Sequence, residues 1–150
     1  MEKALFFVNI VSAGVFVGVQ LLVLDNVAPT IRKLDRPLGI QLHRQMLDHK
    51  EHLRLVMPAT TLAISTAVIL EFLDIDSTAK ILLGVGLVGM LGISITTFAV
   101  NAPINVRFRT LTPDAPDYDA LVRRWDRSHA LRTLSGVIAF VAFVAAALSS

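Results

Sequence analysis

The residues able to do chemistry crowd into three short stretches of an otherwise apolar chain. One reads Trp125-Asp126-Arg127-Ser128-His129-Ala130-Leu131-Arg132. On a helix, Trp125, His129 and Arg132 fall at i, i+4 and i+7 and share one face. Asp126 stands three residues before His129, within hydrogen-bonding reach. A carboxylate there would fix the imidazole tautomer and leave the other ring nitrogen as a base. The same residues also read as an interfacial belt, in which Trp anchors, Arg extends its head to water, and Asp and His pair. A second stretch is Asn101-Ala102-Pro103-Ile104-Asn105. Its two amides share a helix face, and Pro103 removes a backbone donor and frees carbonyls. They read as fixed amides lining a pocket or as capping asparagines at a helix end. The third stretch carries His43, Asp48, His49, Glu51 and His52. His49 and His52 are i, i+3, and Asp48 and His52 are i, i+4. With His129 they would assemble a metal site (His49, His52, Asp48, His129), completed by Asp25 or Asp126. Di-metal bundles use an acid-x-x-His step on facing helices. Asp126-x-x-His129 has that form, but no Glu-x-x-His matches it on a second helix. The competing reading is a solvated helix beside the membrane.

The elements that position these residues follow from where charge is missing. Of 150 residues, 54% are hydrophobic and 17% charged, with a mean hydropathy of +0.65. Soluble domains carry about a quarter charged residues. Four apolar runs stand out, at about 4–24, 53–73, 79–100 and 131–148. Each is long enough to cross ~30 Å of hydrocarbon. Backbone polar groups inside a bilayer must pair within the segment, so the runs read as helices. The expected fold is all-α: one domain, 1–150, forming an integral membrane four-helix bundle. The first run reads as a retained helix and not a signal peptide, because Met1-Glu2-Lys3 is a poor positive n-region.

Topology follows from Lys and Arg. Arg32, Lys33, Arg36, Arg44, Lys50 and Arg54 lie in or beside the segment after the first run. Arg107, Arg109, Arg123, Arg124, Arg127 and Arg132 lie in or beside the segment after the third. Only Lys3 and Lys80 fall elsewhere. The positive-inside rule puts both long segments in the cytoplasm and both termini on the non-cytoplasmic side of the cell membrane. The absence of cysteine excludes disulfides, thiolate nucleophiles and cysteine-ligated metals. A net charge of +2, with no basic arm, argues against nucleic acid as a partner. Small residues recur at Gly14 and Gly18, at Gly84, Gly86, Gly89 and Gly92, and at Ala142 and Ala145–Ala147. They let helices approach closely, within one bundle or in a homo-oligomer. Gln20 inside the first run reads as structural, and Asp25 at its end as an ion-pair partner for Arg132 or Arg54.

Asn101-x-Pro103-x-Asn105 followed by Trp125-x3-His129-x2-Arg132-Thr133 resembles the anthrone-oxygenase-like family of small four-helix membrane proteins. The resemblance covers the last third of the chain, and helix count and spacing extend it. It implies insertion of oxygen into an anthrone to give an anthraquinone, without metal or flavin. On that pattern His129 is the base and Asp126 its orienter. Arg132, Asn101 and Asn105 hold the enolate oxygen, and Trp125 stacks on the rings. The second Trp, and the Asn that members often carry close to Ser128-His129, are absent here. The partners expected are a lipophilic aromatic substrate, anthrone- or quinone-like, and membrane lipid. Two other classes stand beside this one. One is a membrane protein binding iron, copper, zinc or haem through His43, His49 and His52 with His129. The other is a non-catalytic accessory subunit. Polarity confined to one end provides no continuous path, which argues against a transporter.

Overall fold

The computed structural model describes residues 2–48 and 51–150, with side chains for 3–47 and 59–150. The fold is all-α, with no strand among the described residues. Helix α1 spans Glu2–Leu22 and passes through a π-helical turn, Val23–Val27, into α2, Ala28–Lys33. Helix α3 is Arg36–Asp48 and α4 is Glu51–Phe72. Helix α5, Ser77–Thr96, passes through a second π-helical turn, Thr97–Asn101, into α6, Ala102–Thr110. Helix α7 is Tyr118–Leu148.

Three helical stretches among the described residues are long and apolar enough to cross a membrane: Lys3–Lys33, Ser77–Thr110 and Tyr118–Leu148. Helix α4 carries a shorter apolar stretch, Ala59–Phe72. Their outer faces expose Phe7, Val15, Phe72, Val88, Phe98 and Ile138. Large apolar groups displayed in that number fit contact with lipid and not with water.

The two π-helical turns have one cause. Each ends directly before an Ala-Pro pair, Ala28-Pro29 and Ala102-Pro103. A proline ring crowds the carbonyl four residues back and has no N–H to offer it. Widening the helix by one residue relieves the crowding. The backbone N–H of Ala28 accordingly donates to the Val23 carbonyl, and that of Ala102 to the Thr97 carbonyl. The helices therefore run on past the apolar segments in place of ending at the prolines.

Helix α7 is the centre of the packing, with α5 on one side and α1 on the other, and α4 packs on α1. Gly86 lies directly under the Phe143 ring, where a Cβ would collide. A Cβ on Gly89 would meet the Ser135 carbonyl oxygen at 2.8 Å and the Ala139 Cβ at 2.9 Å. These two glycines of the small-residue row thus serve close packing inside the bundle. Helix α4 is tied to α1 by a fully buried Asn9, whose Nδ2 donates to Ser65 Oγ at 3.2 Å and Thr66 Oγ1 at 2.6 Å.

The core divides into two apolar clusters. One joins Phe6, Ala13, Leu62, Ile69, Leu83, Ala139 and Phe143. The other, at the basic end, joins Ala28, Ile31, Ile40, Ile104, Phe108, Tyr118 and Trp125. The three long stretches, Lys3–Lys33, Ser77–Thr110 and Tyr118–Leu148, pass from one cluster to the other, and the chain positions between the clusters carry Gln20, Asn101, His129 and Arg132.

Because backbone blocks the space above Gly89, Gly89→Ala is expected to destabilise the bundle by about 1–3 kcal/mol. Gly84, where a Cβ would meet nothing within 4 Å, is the control. Thermal unfolding in detergent should show a lower midpoint for Gly89→Ala and an unchanged one for Gly84→Ala.

Candidate functional site

The polar groups between the two clusters come from three helices. His129 and Arg132 lie on α7 and Gln20 lies on α1. Asn101 closes the second π-helical turn. Burial of such groups is costly unless each finds a partner, and the partners define the site. His129 is 3% exposed, and its Nε2 lies 3.3 Å from the main-chain carbonyl oxygen of Gln20. That oxygen can only accept, so Nε2 carries the proton and Nδ1 keeps the lone pair. Arg132 Nη2 donates to Gln20 Oε1 at 2.8 Å. Ser128 Oγ donates to Asn101 Oδ1 and reaches the Trp125 carbonyl oxygen at 2.9 Å. Thr133 Oγ1 donates back to the His129 carbonyl at 2.9 Å.

Several polar atoms of this layer are buried and find no partner among the described residues: Gln20 Nε2, Asn101 Nδ2, Arg132 Nε and Asn105 Oδ1. Three of the four are N–H donors. A packed protein rarely leaves such groups unmatched. A donor-rich layer beside an imidazole with a free lone pair is suited to a ligand that presents a carbonyl or ionised oxygen.

Above the layer stands a column of rings. Trp125 stacks on His129, with centroids 5.3 Å apart and planes at 21°. His43 meets the edge of Trp125 at 4.8 Å and stacks flat on Phe108 at 3.9 Å and 14°. Helix α3 delivers His43 there. Arg44, the next residue, donates to the carbonyls of Phe108 at 3.3 Å and Leu111 at 2.7 Å, capping the end of α6. Gly39 leaves room for the Tyr118 hydroxyl, which a Cβ would displace. Arg36 pairs with Asp119 at 2.7 Å and lies over the Tyr118 ring, 5.4 Å from its centre. Arg107 grips Asp117 with two bonds, at 2.8 and 3.0 Å. The basic end is thus folded down over the column.

The sequence-predicted residues are distributed as follows. His129, Arg132, Asn101 and Trp125 come together, joined by Gln20 and Ser128. Asn105 borders them, half-buried. Asp126 does not orient His129. Its Oδ2 lies 3.5 Å from Arg32 Nη1, and its Oδ1 makes no hydrogen bond. Three residues of helix place it about 60° away from His129, toward α2 instead of α1. The Gln20 carbonyl takes the orienting position. Arg132 does not pair with Asp25 either, because Gln20 Oε1 takes its Nη2. The belt reading also fails for Trp125, which is only 6% exposed.

The proposed metal ligands His49, His52 and Asp48 lie outside the residues whose side chains are described. Among the described residues no three His, Asp or Glu side chains cluster in a way that would hold a metal. His129 and His43 have Trp125 between them. Two surface hollows lie elsewhere. One of about 330 Å³ is lined by Pro37, Gln41, Arg44 and Pro113, and one of about 510 Å³ by Lys3, Phe6, Ile10 and Ala147.

Comparison with known proteins locates this arrangement. Residues 49–142 match the family model described as anthrone oxygenase. The matched stretch holds Asn101, Asn105, Trp125, His129 and Arg132, and leaves out Gln20 and His43. No curated protein and no solved structure matches the chain.

His43 is 2% exposed, and among the described residues neither ring nitrogen has a hydrogen-bond partner. Burial lowers its pKa from 6.5 to about 4. The unfolded chain then binds this proton more readily than the folded one. Its contribution to stability is complete above pH 6.5 and is lost as pH falls toward about 4. The loss is roughly 3 kcal/mol. In His43→Phe that contribution disappears. The unfolding midpoints of wild type and variant should therefore diverge between pH 6.5 and 4, and parallel curves would contradict the assignment.

Proposed function

The chain belongs to the anthrone oxygenase family, and from that premise we propose that it oxidises a lipophilic aromatic ketone bearing acidic C–H bonds, anthrone- or quinone-like, with dioxygen. One observation carries this reading. Three buried, unspent N–H donors, Gln20 Nε2, Asn101 Nδ2 and Arg132 Nε, occupy the same layer as His129. A base and a set of oxyanion donors in a dry site are what such a reaction asks of a protein.

The substrate's CH₂ group gives a proton to His129 Nδ1, and its carbonyl becomes an enolate. Arg132 and Asn101 donate to the enolate oxygen, with Asn105 at the border of the site. Trp125, already stacked on His129, presents its remaining surface to the substrate rings. The electron-rich enolate carbon transfers an electron to dioxygen and then forms the C–O bond. The proton held by His129 returns to the distal oxygen, giving a hydroperoxide. Loss of the second C–H proton breaks the O–O bond, leaving a new carbonyl and water. Overall, CH₂ and O₂ become C=O and H₂O. The substrate supplies the electrons, so this chemistry calls for no resident metal or haem. Elemental analysis of the purified protein checks that point: stoichiometric iron, copper or zinc would favour a metal site at His49, His52, Asp48 and His129 instead.

The reading includes an orientation. We propose four crossings, with the Ala59–Phe72 stretch of α4 as the second, and both termini on the non-cytoplasmic side. The lopsided distribution of Lys and Arg supports this. The reactive layer then sits toward the cytoplasmic face of the cell membrane, within reach of substrate dissolved in that leaflet. A C-terminal reporter active only in the cytoplasm should be silent, and a strong signal would reverse the orientation.

His129→Ala and Arg132→Ala are each expected to lower kcat for an anthrone by about 10²- to 10⁴-fold. Anthraquinone absorbance in detergent, corrected for uncatalysed oxidation, measures it. Wild-type turnover in both variants, with unfolding midpoints retained, would end the proposal.

A further inference from the structure

Gln20 is the residue in which the site's contacts converge. It lies on α1, outside the family-matched stretch, and is 1% exposed. Its main-chain carbonyl oxygen meets His129 Nε2 at 3.3 Å, and its side-chain Oε1 accepts from Arg132 Nη2 at 2.8 Å. Its amide Nε2 has no partner among the described residues. One residue thus touches both groups assigned to the reaction and keeps a donor in reserve. A helix-packing glutamine would spend its amide on a backbone or on one neighbouring side chain.

The direction of these bonds matters. The carbonyl forces the proton of His129 onto Nε2 and so assigns the base to Nδ1. The Oε1 bond occupies a terminal nitrogen of Arg132 and leaves Nε unspent. A guanidinium is planar, so fixing one terminal nitrogen fixes the direction in which Nε–H points. Without that anchor Arg132 would swing toward the basic, wetter end of the bundle, as long cationic side chains do in membranes.

We infer that Gln20 is the positioning residue of the site, setting the tautomer of His129 through its main chain and the aim of Arg132 through its side chain. This deepens the oxygenase reading and rests on it. The assignment is specific to charge developing on the substrate oxygen. The effect therefore falls on kcat and spares KM.

The test uses the full chain in detergent, with two variants and two readouts. Gln20→Leu removes the acceptor, and Gln20→Glu keeps an acceptor oxygen at the same reach. Nitrogen-15 spectra are expected to show His129 protonated on Nε2 in wild type. They should also show an ordered Arg132 guanidinium in wild type and Gln20→Glu that is lost in Gln20→Leu. With an anthrone as substrate, Gln20→Leu should lose roughly 10- to 100-fold in kcat with KM nearly unchanged. Gln20→Glu holds the guanidinium in place but neutralises it, so it should keep the Arg132 signals and still lose kcat. A role confined to tying α1 to α7 would lower the unfolding midpoint and leave kcat alone. The inference is overturned if His129 carries its proton on Nδ1, or if Gln20→Leu keeps either the Arg132 signals or the kcat of wild type. If wild type itself does not accelerate anthrone oxidation, yet the His129 and Arg132 signals follow Gln20 as described, the oxygenase reading fails while the positioning role stands.

Discussion

A guanidinium half-buried between the two apolar clusters of the bundle is the constraint on which the rest of this structure depends. Arg132 sits between two hydrophobic clusters, where an unpaired charge costs several kcal/mol. Among the described residues no carboxylate is placed to pair with it. Asp25 is exposed, and Asp126 faces Arg32. A neutral amide, Gln20, takes one terminal nitrogen instead. An ion pair would have neutralised Arg132. An amide holds it and leaves its charge available. A cation anchored but not neutralised can still respond to negative charge that appears on a ligand.

The architecture around that layer follows from keeping it dry and aimed. Two glycines bring α5 against α7 so closely that a methyl group would not fit, which sets Asn101 against Ser128. Two prolines, each absorbed by a π-helical turn, carry the long helices on past the apolar segments. Their continuations, α2 and α6, pack with α3 as a cap. Arginines that topology alone would place at this end also serve as staples. Arg44 caps α6, Arg36 reaches Asp119, and Arg107 holds Asp117. Exposed ion pairs contribute little singly. Here several of them fix a cap whose inner face is the ring column of Phe108, His43, Trp125 and His129.

Much of this was legible in the sequence, and the exceptions share a cause. Apolar run length marked where α1, α4, α5 and α7 lie, and i, i+4, i+7 spacing marked the shared face of Trp125, His129 and Arg132, because both depend on a single helix. Partners across helices did not follow from spacing. Asp126 is near enough to His129 in sequence to suggest a bond, yet a turn of about 60° around α7 sends it to Arg32. Gln20 is visible as an amide in an apolar run, as is Asn9, but its two partners are more than a hundred positions away. His43 was grouped with His49 and His52 as a metal-ligand set. Ile40, His43 and Leu47 share the apolar face of α3 at i, i+3 and i+7, and that signal would have placed His43 in the core.

The most direct measurement is turnover of an anthrone under ¹⁸O₂ by chelator-treated, detergent-purified protein, followed by mass spectrometry of the quinone. The proposed reaction predicts protein-dependent formation of anthraquinone with one labelled oxygen at the new carbonyl, at a rate that chelation does not change. Unlabelled product, or a rate no faster than without protein, would contradict the assignment of the Gln20, Asn101, His129 and Arg132 layer as an oxygenase site.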